Sequence, residues 1–119
     1  MINQNDQLQS LLLDLRAADW LAMDTEADSL HAYPEKLCLI QVSIPGRDDL
    51  IDPLADLDLA PLWDVFNQHE LLMHGADYDI RLFKRGHDYT PRKIFDTMLA
   101  ARLTGRMKFG LVHLVKEVI

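Results

Sequence analysis

Trp20-Leu21-Ala22-Met23-Asp24-Thr25-Glu26-Ala27-Asp28-Ser29-Leu30 is the stretch on which the reading of this chain turns. Its first four residues are apolar, and 20–24 predicts a short buried strand with acidic residues at its exit. Side chains on a strand alternate faces, so Asp24 and Glu26 point the same way, roughly 7 Å apart along the chain. Two carboxylates held side by side repel unless something cationic sits between them. Oxygen ligands of this kind suit Mg²⁺ or Mn²⁺, ions usually held by a few carboxylates together with substrate phosphates. Taken alone, Asp-x-Glu is also the composition of a solvated acidic turn. Residues further along have to decide between the two.

Working outward, residues 6–17 predict an amphipathic helix. Leu8, Leu11, Leu12 and Leu15 fall at i, i+3, i+4 and i+7, with Asn5 or Asp6 placed to cap it. Leu37 to Ile44 has strand composition and ends at Pro45-Gly46, a turn pair, and Leu50-Ile51-Asp52 is a third strand stopped by Pro53. Three strands with short connections predict an antiparallel meander. Pro61 suits the first turn of a helix that buries Leu62, Trp63, Val65 and Phe66 and runs to about Gln68. Leu71 to His74 reads as a fourth strand, and a helix follows from about Asp77 to Arg85, closed by Gly86. Lys93-Ile94-Phe95 is a fifth strand. Asp96-Thr97 caps a helix to Leu103, and Gly110 to Ile119 is a last helix with Leu111, Leu114, Val115 and Val118 on one side. Strands followed by alternating helices and strands predict an α/β fold, a mixed five-stranded sheet with helices on both faces.

The totals fit one domain over residues 1–119, with nearly half the residues apolar and a quarter charged. No apolar run approaches membrane-spanning length, and the first residues carry neither a basic region nor an apolar core for export, so the expected setting is cytoplasmic. Cys38, the one cysteine, excludes an internal disulfide and reads as a core residue. The net charge of −7 hides an asymmetry. Residues 1–80 carry three basic and sixteen acidic side chains, or −13, while residues 81–119 carry nine and three, or +6. Arg81, Lys84, Arg85, Arg92, Lys93, Arg102, Arg106 and Lys108 could line a path for a polyanion, or could be ordinary solvated helix faces.

The second acidic site is His74-Gly75-Ala76-Asp77-Tyr78-Asp79. If a helix begins near Asp77, that residue is its N-cap and Asp79 lies in the first turn. Leu82 and Phe83, at i+3 and i+4 from Asp79, face the sheet. Asp79 should then overhang the end of the sheet where Asp24 and Glu26 emerge. A carboxylate complementing the helix dipole is the structural alternative.

At this point the chain resembles a family. Asp24 to Leu30 looks like the first motif of the DEDD 3′→5′ exonucleases, and Leu37-Cys38-Leu39-Ile40-Gln41 after it is similar to ribonuclease D-like members. His74 to Asp79 resembles the second motif. Phe95-Asp96-Thr97-Met98-Leu99-Ala100-Ala101 and Gly110 to Val115 resemble the same pattern in type and order. The resemblance implies a ribonuclease H-like sheet and metal-dependent hydrolysis of single-stranded nucleic acid from the 3′ end, RNA before DNA. It implies two Mg²⁺ or Mn²⁺ ions held by Asp24, Glu26 and Asp79 as the catalytic and metal residues. Thr25, Leu30, His74 and Gly75 would meet the terminal nucleotide, Leu30 as a wedge against the last base. Asp96 is expected as a helix cap.

One departure stands out. The family's third motif places a Tyr or His four or five residues before a fourth carboxylate. Tyr33, Tyr78 and Tyr89 lead four residues on to Leu37, Leu82 and Lys93. The histidines lead five on to Lys36, His74, Asp79, Arg92 and Val118. Only His74 reaches an aspartate, and that pair belongs to the second motif. The expectation is a domain that is incomplete at its C-terminal helices, with weak or no turnover by itself. A self-associating or purely nucleic-acid-binding relative of the same fold stays open beside the exonuclease, with homodimerisation through the unfinished helical side. A phosphatase of the haloacid dehalogenase type wants Asp-x-Asp, which Asp24-Thr25-Glu26 is not.

Overall fold

The computed structural model describes residues 1–28, 30 and 33–119; Ser29 of the opening stretch and His31, the histidine from which Lys36 is counted, lie outside the described residues. The strands are β1 (Leu21–Asp28), β2 (Lys36–Ile44), β3 (Arg47–Ile51), β4 (Leu71–Met73) and β5 (Ile94–Asp96). The helices are α1 (Asn5–Ala17), α2 (Ala60–Phe66), α3 (Ala76–His87), α4 (Thr97–Leu103) and α5 (Leu111–Val118). The sheet runs β3-β2-β1-β4-β5. β1, β2 and β3 form the antiparallel meander, with Gly46 at φ 73° in the two-residue turn, a conformation that favours glycine. β4 and β5 join in parallel. The mixed sheet is the one expected.

Periodicity located the core well. Leu8, Leu11, Leu12 and Leu15 of α1 are all buried, and they share one apolar cluster with Leu62, Val65 and Phe66 of α2 and Leu82 and Phe83 of α3. From the sheet, Leu21, Met23, Ile40, Val42, Ile51, Leu71 and Met73 complete it. Trp63 is half-buried and stacks on Tyr89, ring centroids 4.6 Å apart. Ile2 lies along the outer side of β3, its amide donating to the Leu50 carbonyl (2.7 Å) and its carbonyl accepting from the Asp52 amide (2.9 Å). Among the described residues no helix is long and apolar enough to cross a membrane.

Several boundaries differ from the sequence reading. β1 runs eight residues rather than five, because β2 pairs with it as far as Asp28–Lys36; Asp24 and Glu26 therefore stand in the body of a strand. The register slips between Glu26 and Ala27, which face Leu39 and Leu37, so Cys38 is the extra residue of a bulge. Half-buried there, with its Sγ 3.3 Å from the Lys36 carbonyl, Cys38 is not a core residue. The N-cap of α1 is Gln4, and the Gln7 side chain accepts from the amides of Asn3 and Gln4. Asn5 instead ties α1 to the loop ahead of α2, accepting from the Asp58 amide. α2 ends at Phe66, short of Gln68, and Gly86 lies inside α3, which closes on Asp88 at φ 48°. α4 has its predicted cap in Asp96. In α5, Leu111, Val115 and Val118 of the apolar side are exposed.

Candidate active site

Alternation along β1 sorts the opening motif onto two faces. Leu21, Met23 and Thr25 turn into the core; Ala22, Asp24 and Glu26 turn the other way, and the two carboxylates are exposed there. On that second face a cavity of about 450 Å³ is lined by Asp24, Gln41, Ser43 and Leu72 of the sheet, with His74, Thr97 and Leu111 around it. β4 pairs with β1 only over Leu21 and Ala22. Past that point the chain after β4 has left the sheet and begun α3, whose first turn approaches Thr25.

Asp79 is where this approach is made. It is only 4% exposed, and its carboxylate accepts a short hydrogen bond from the Thr25 hydroxyl. Burial pushes the Asp79 carboxyl above the ordinary carboxylate range; the Thr25 hydroxyl works against this, and the Asp24 charge adds to the rise. Asp79 has therefore reached the same stretch of β1 as Asp24 and Glu26, from the core side instead of the open side. In this arrangement the three are not gathered: among the described residues no three His, Cys, Asp or Glu side chains form a group that could hold a metal ion. Their donor chemistry, carboxylate oxygen throughout, is what Mg²⁺ and Mn²⁺ take. The bond to Thr25 lies on the core side of β1, away from the exposed carboxylates of Asp24 and Glu26.

The start of α3 corrects the expected cap. Gly75, at φ 68°, is the N-cap; Asp77 is exposed and pairs with Arg81 one turn on (2.8 Å). Glycine has no side chain to bond the free amides of the first turn. Asp96 does so from β5. Its Oδ1 accepts from the Gly75 amide (3.0 Å) and its Oδ2 from Ala76 (2.8 Å), while Oδ1 also accepts from Met98 (2.9 Å) and Leu99 (3.3 Å) to cap α4. Partial burial alone raises the Asp96 carboxyl, but these four amides outweigh it and hold the group below its ordinary range. Thr97 donates its hydroxyl proton to the Met73 carbonyl (3.2 Å), so the 2.9 Å contact with His74 has Nδ1–H as donor. His74 is therefore bonded to the side-chain hydroxyl of Thr97.

The remaining predicted residues are spread more widely. Leu30 is 89% exposed, its amide bonded to Asp28 Oδ1 (3.2 Å), and it packs into no core. Of the cations proposed for a polyanion path, Arg81, Lys84 and Arg106 pair with Asp77, Asp88 and Glu117, and Arg102 lies over the Phe109 ring. A larger cavity, about 580 Å³, sits by the far end of α3 among Tyr33, Leu37, Leu54, Arg85 and His87 and holds no predicted site residue. Asp96 is the residue whose full role the sequence hid: its cap on α4 was legible, its bond to a turn twenty residues earlier was not.

A model of the family described as 3′-5′ exonuclease matches residues 1–119. Ribonuclease D of Jannaschia sp. (strain CCS1) is 34% identical over 111 residues, 87% of this chain and 29% of that protein. The crystal structure of Escherichia coli RNase D, an exoribonuclease involved in structured RNA processing, superposes with a TM-score of 0.88 at 31% identity, covering 98% of this chain and 32% of that one. Brucella melitensis NrnC with bound Mg²⁺ gives a TM-score of 0.72 at 26% identity, over 89% and 56% of the two chains. The chain thus spans about three-tenths of the length of the ribonuclease D proteins it matches.

Proposed function

The chain belongs to the 3′-5′ exonuclease family, metal-dependent enzymes, and we propose that it hydrolyses phosphodiester bonds one nucleotide at a time from the 3′ end of RNA. One observation carries the reading: Asp79 bonds to Thr25, fifty-four residues away in sequence and standing between Asp24 and Glu26. Residues 1–119 act in this reading as one exonuclease domain. Asp24, Glu26 and Asp79 would hold Mg²⁺ or Mn²⁺. Bound there, such ions would stabilise charge on the attacking and leaving oxygens and would ease deprotonation of water near neutral pH. The chain's own part is placement. Asp24 and Glu26 present their carboxylates at the open face, and His74, Gly75 and Leu30 contact the terminal nucleotide; Thr25, expected beside them, instead turns into the core and gives its hydroxyl to Asp79. His74 shares the 450 Å³ cavity with Asp24, room for one nucleotide, and Leu30 is bare enough to meet a base. The lone thiol fits a reducing, cytoplasmic setting.

The test is a single-stranded RNA labelled at its 5′ end and incubated with the purified chain and Mn²⁺. Expected is a weak ladder shortening one nucleotide at a time, slow because residues 1–119 carry no third motif, absent without metal, blocked by a 3′-phosphate, and lowered further, by about 10³-fold, in Glu26→Gln. Internal cuts, or full activity in Glu26→Gln, would overturn the assignment. A second reading, a nucleic-acid-binding or self-associating member without turnover, is favoured by the ungathered carboxylates and by the bare apolar side of α5. RNA retained but never shortened, or a dimer seen by sedimentation with no ladder, would establish it.

A further inference from the structure

We infer that Asp96 is a positioning residue for Asp79, acting through the first turn of α3, with Oδ2 as the oxygen that does so. The inference rests on the exonuclease reading for its consequence, but not for its geometry. The two oxygens of Asp96 do different work. Oδ1 receives three amides, Gly75, Met98 and Leu99; Oδ2 receives Ala76 alone. Capping α4 needs only Oδ1. The Oδ2 bond therefore serves α3, which has a glycine N-cap and no cap of its own. The residue after Asp96 continues the same clasp: Thr97 bonds the Met73 carbonyl and His74 Nδ1. Gly75 itself is at φ 68°, a conformation that favours glycine, while a Cβ there would make only ordinary contact with Met98 Cε at 3.4 Å. Asp96, which ends β5, and Thr97, which opens α4, thus hold 73–76 at four points.

Asp79 stands three residues after Ala76, about 4.5 Å along the helix axis. Nothing between them can absorb a shift, because the backbone there is helical, so the place of Ala76 sets the place of the Asp79 carboxylate against Thr25 and Asp24. Groups that orient metal ligands in this indirect way typically alter metal affinity or activity by about 10–100-fold when changed.

Two substitutions separate this role from simple capping. Asp96→Asn keeps an oxygen for Oδ1 and turns an NH₂ toward the Ala76 amide, donor against donor. Asp96→Ser still caps α4, serine being a good N-cap, but is too short to reach Ala76. Mn²⁺ titration, turnover on the labelled RNA, thermal melting and amide hydrogen exchange are read on each. Expected in both variants is a loss of Mn²⁺ affinity and kcat by about 10–100-fold with KM for RNA little changed. Exchange should quicken at 75–80, while 98–103 stays protected and melting stays cooperative. Parental Mn²⁺ affinity and parental exchange at 75–80 in Asp96→Ser would overturn the inference, leaving Asp96 a cap of α4 only. Should the parent chain bind no Mn²⁺ at all, the exonuclease reading falls, while exchange at 75–80 still decides whether Asp96 holds that turn.

Discussion

Compare the two sides of β1. On one, α1, α2 and α3 close over Leu21, Met23 and Thr25, and Leu8, Leu11, Leu12 and Leu15 of α1 are almost wholly shielded from water. On the other, the strand offers Asp24 and Glu26, a cavity, and a last helix whose apolar side lies open. Both α1 and α5 have an apolar side in sequence, yet one seam is filled and the other bare. The closed side carries the apolar core, and the open side carries the carboxylates proposed for the chemistry. Asp79 belongs to neither cleanly, being a carboxylate with a catalytic position in the family's motif but buried on the structural side.

Three measurements would break or sharpen that division. The largest effect should come from the closed side. Phe83 is fully buried in α3, its ring edge-on to Trp63 with centroids 5.4 Å apart, so Phe83→Ala should cost about 3–5 kcal/mol in denaturant unfolding. A cost under about 1 kcal/mol would mean the core is not where the burial places it.

The boundary should respond in the opposite direction. A carboxyl held above its ordinary value in the folded chain binds its proton more tightly than in the unfolded chain. Stability then falls as pH rises through that window. Asp79→Asn removes the ionisation and keeps an oxygen for Thr25. The variant should melt above the parent at pH 7, with the gap closing below about pH 4. A variant that melts lower at neutral pH would make Asp79 a structural acceptor rather than a charge held at a cost.

The smallest effect belongs to the open side. Val115 of α5 is exposed, and Val115→Ala should move the unfolding free energy by no more than about 0.5 kcal/mol. A loss comparable to that of Phe83→Ala would show the seam to be covered in solution.

Legibility followed the range of the forces involved. The leucine period of α1, the Pro45-Gly46 turn, Pro61 at a helix start and the Asp96 cap are local rules, and each was readable. The length of β1 was not, because acidic residues at 24, 26 and 28 look like a strand's exit until a nine-residue partner strand is seen beside them. The alternation of acid with Thr25 and Ala27 was the missed signal. Asp77 read as a cap because its type and place were right, but the true cap for that turn comes from twenty residues downstream, beyond any local pattern. Asp24, Glu26 and Asp79 were expected within reach of one ion; here Asp79 meets their stretch of strand from the core side, and among the described residues no such group forms.

The contact of Ile2 with β3 has a consequence for the chain's life in concentrated solution. β3 is the outermost strand, and an outer strand with idle amides and carbonyls is a template on which a second molecule can lay its own backbone. Ile2 takes up positions on that margin, and Arg47, Asp48 and Asp49 crowd what is left of it with charge. A second chain adding to β3 would first have to displace Ile2 from it.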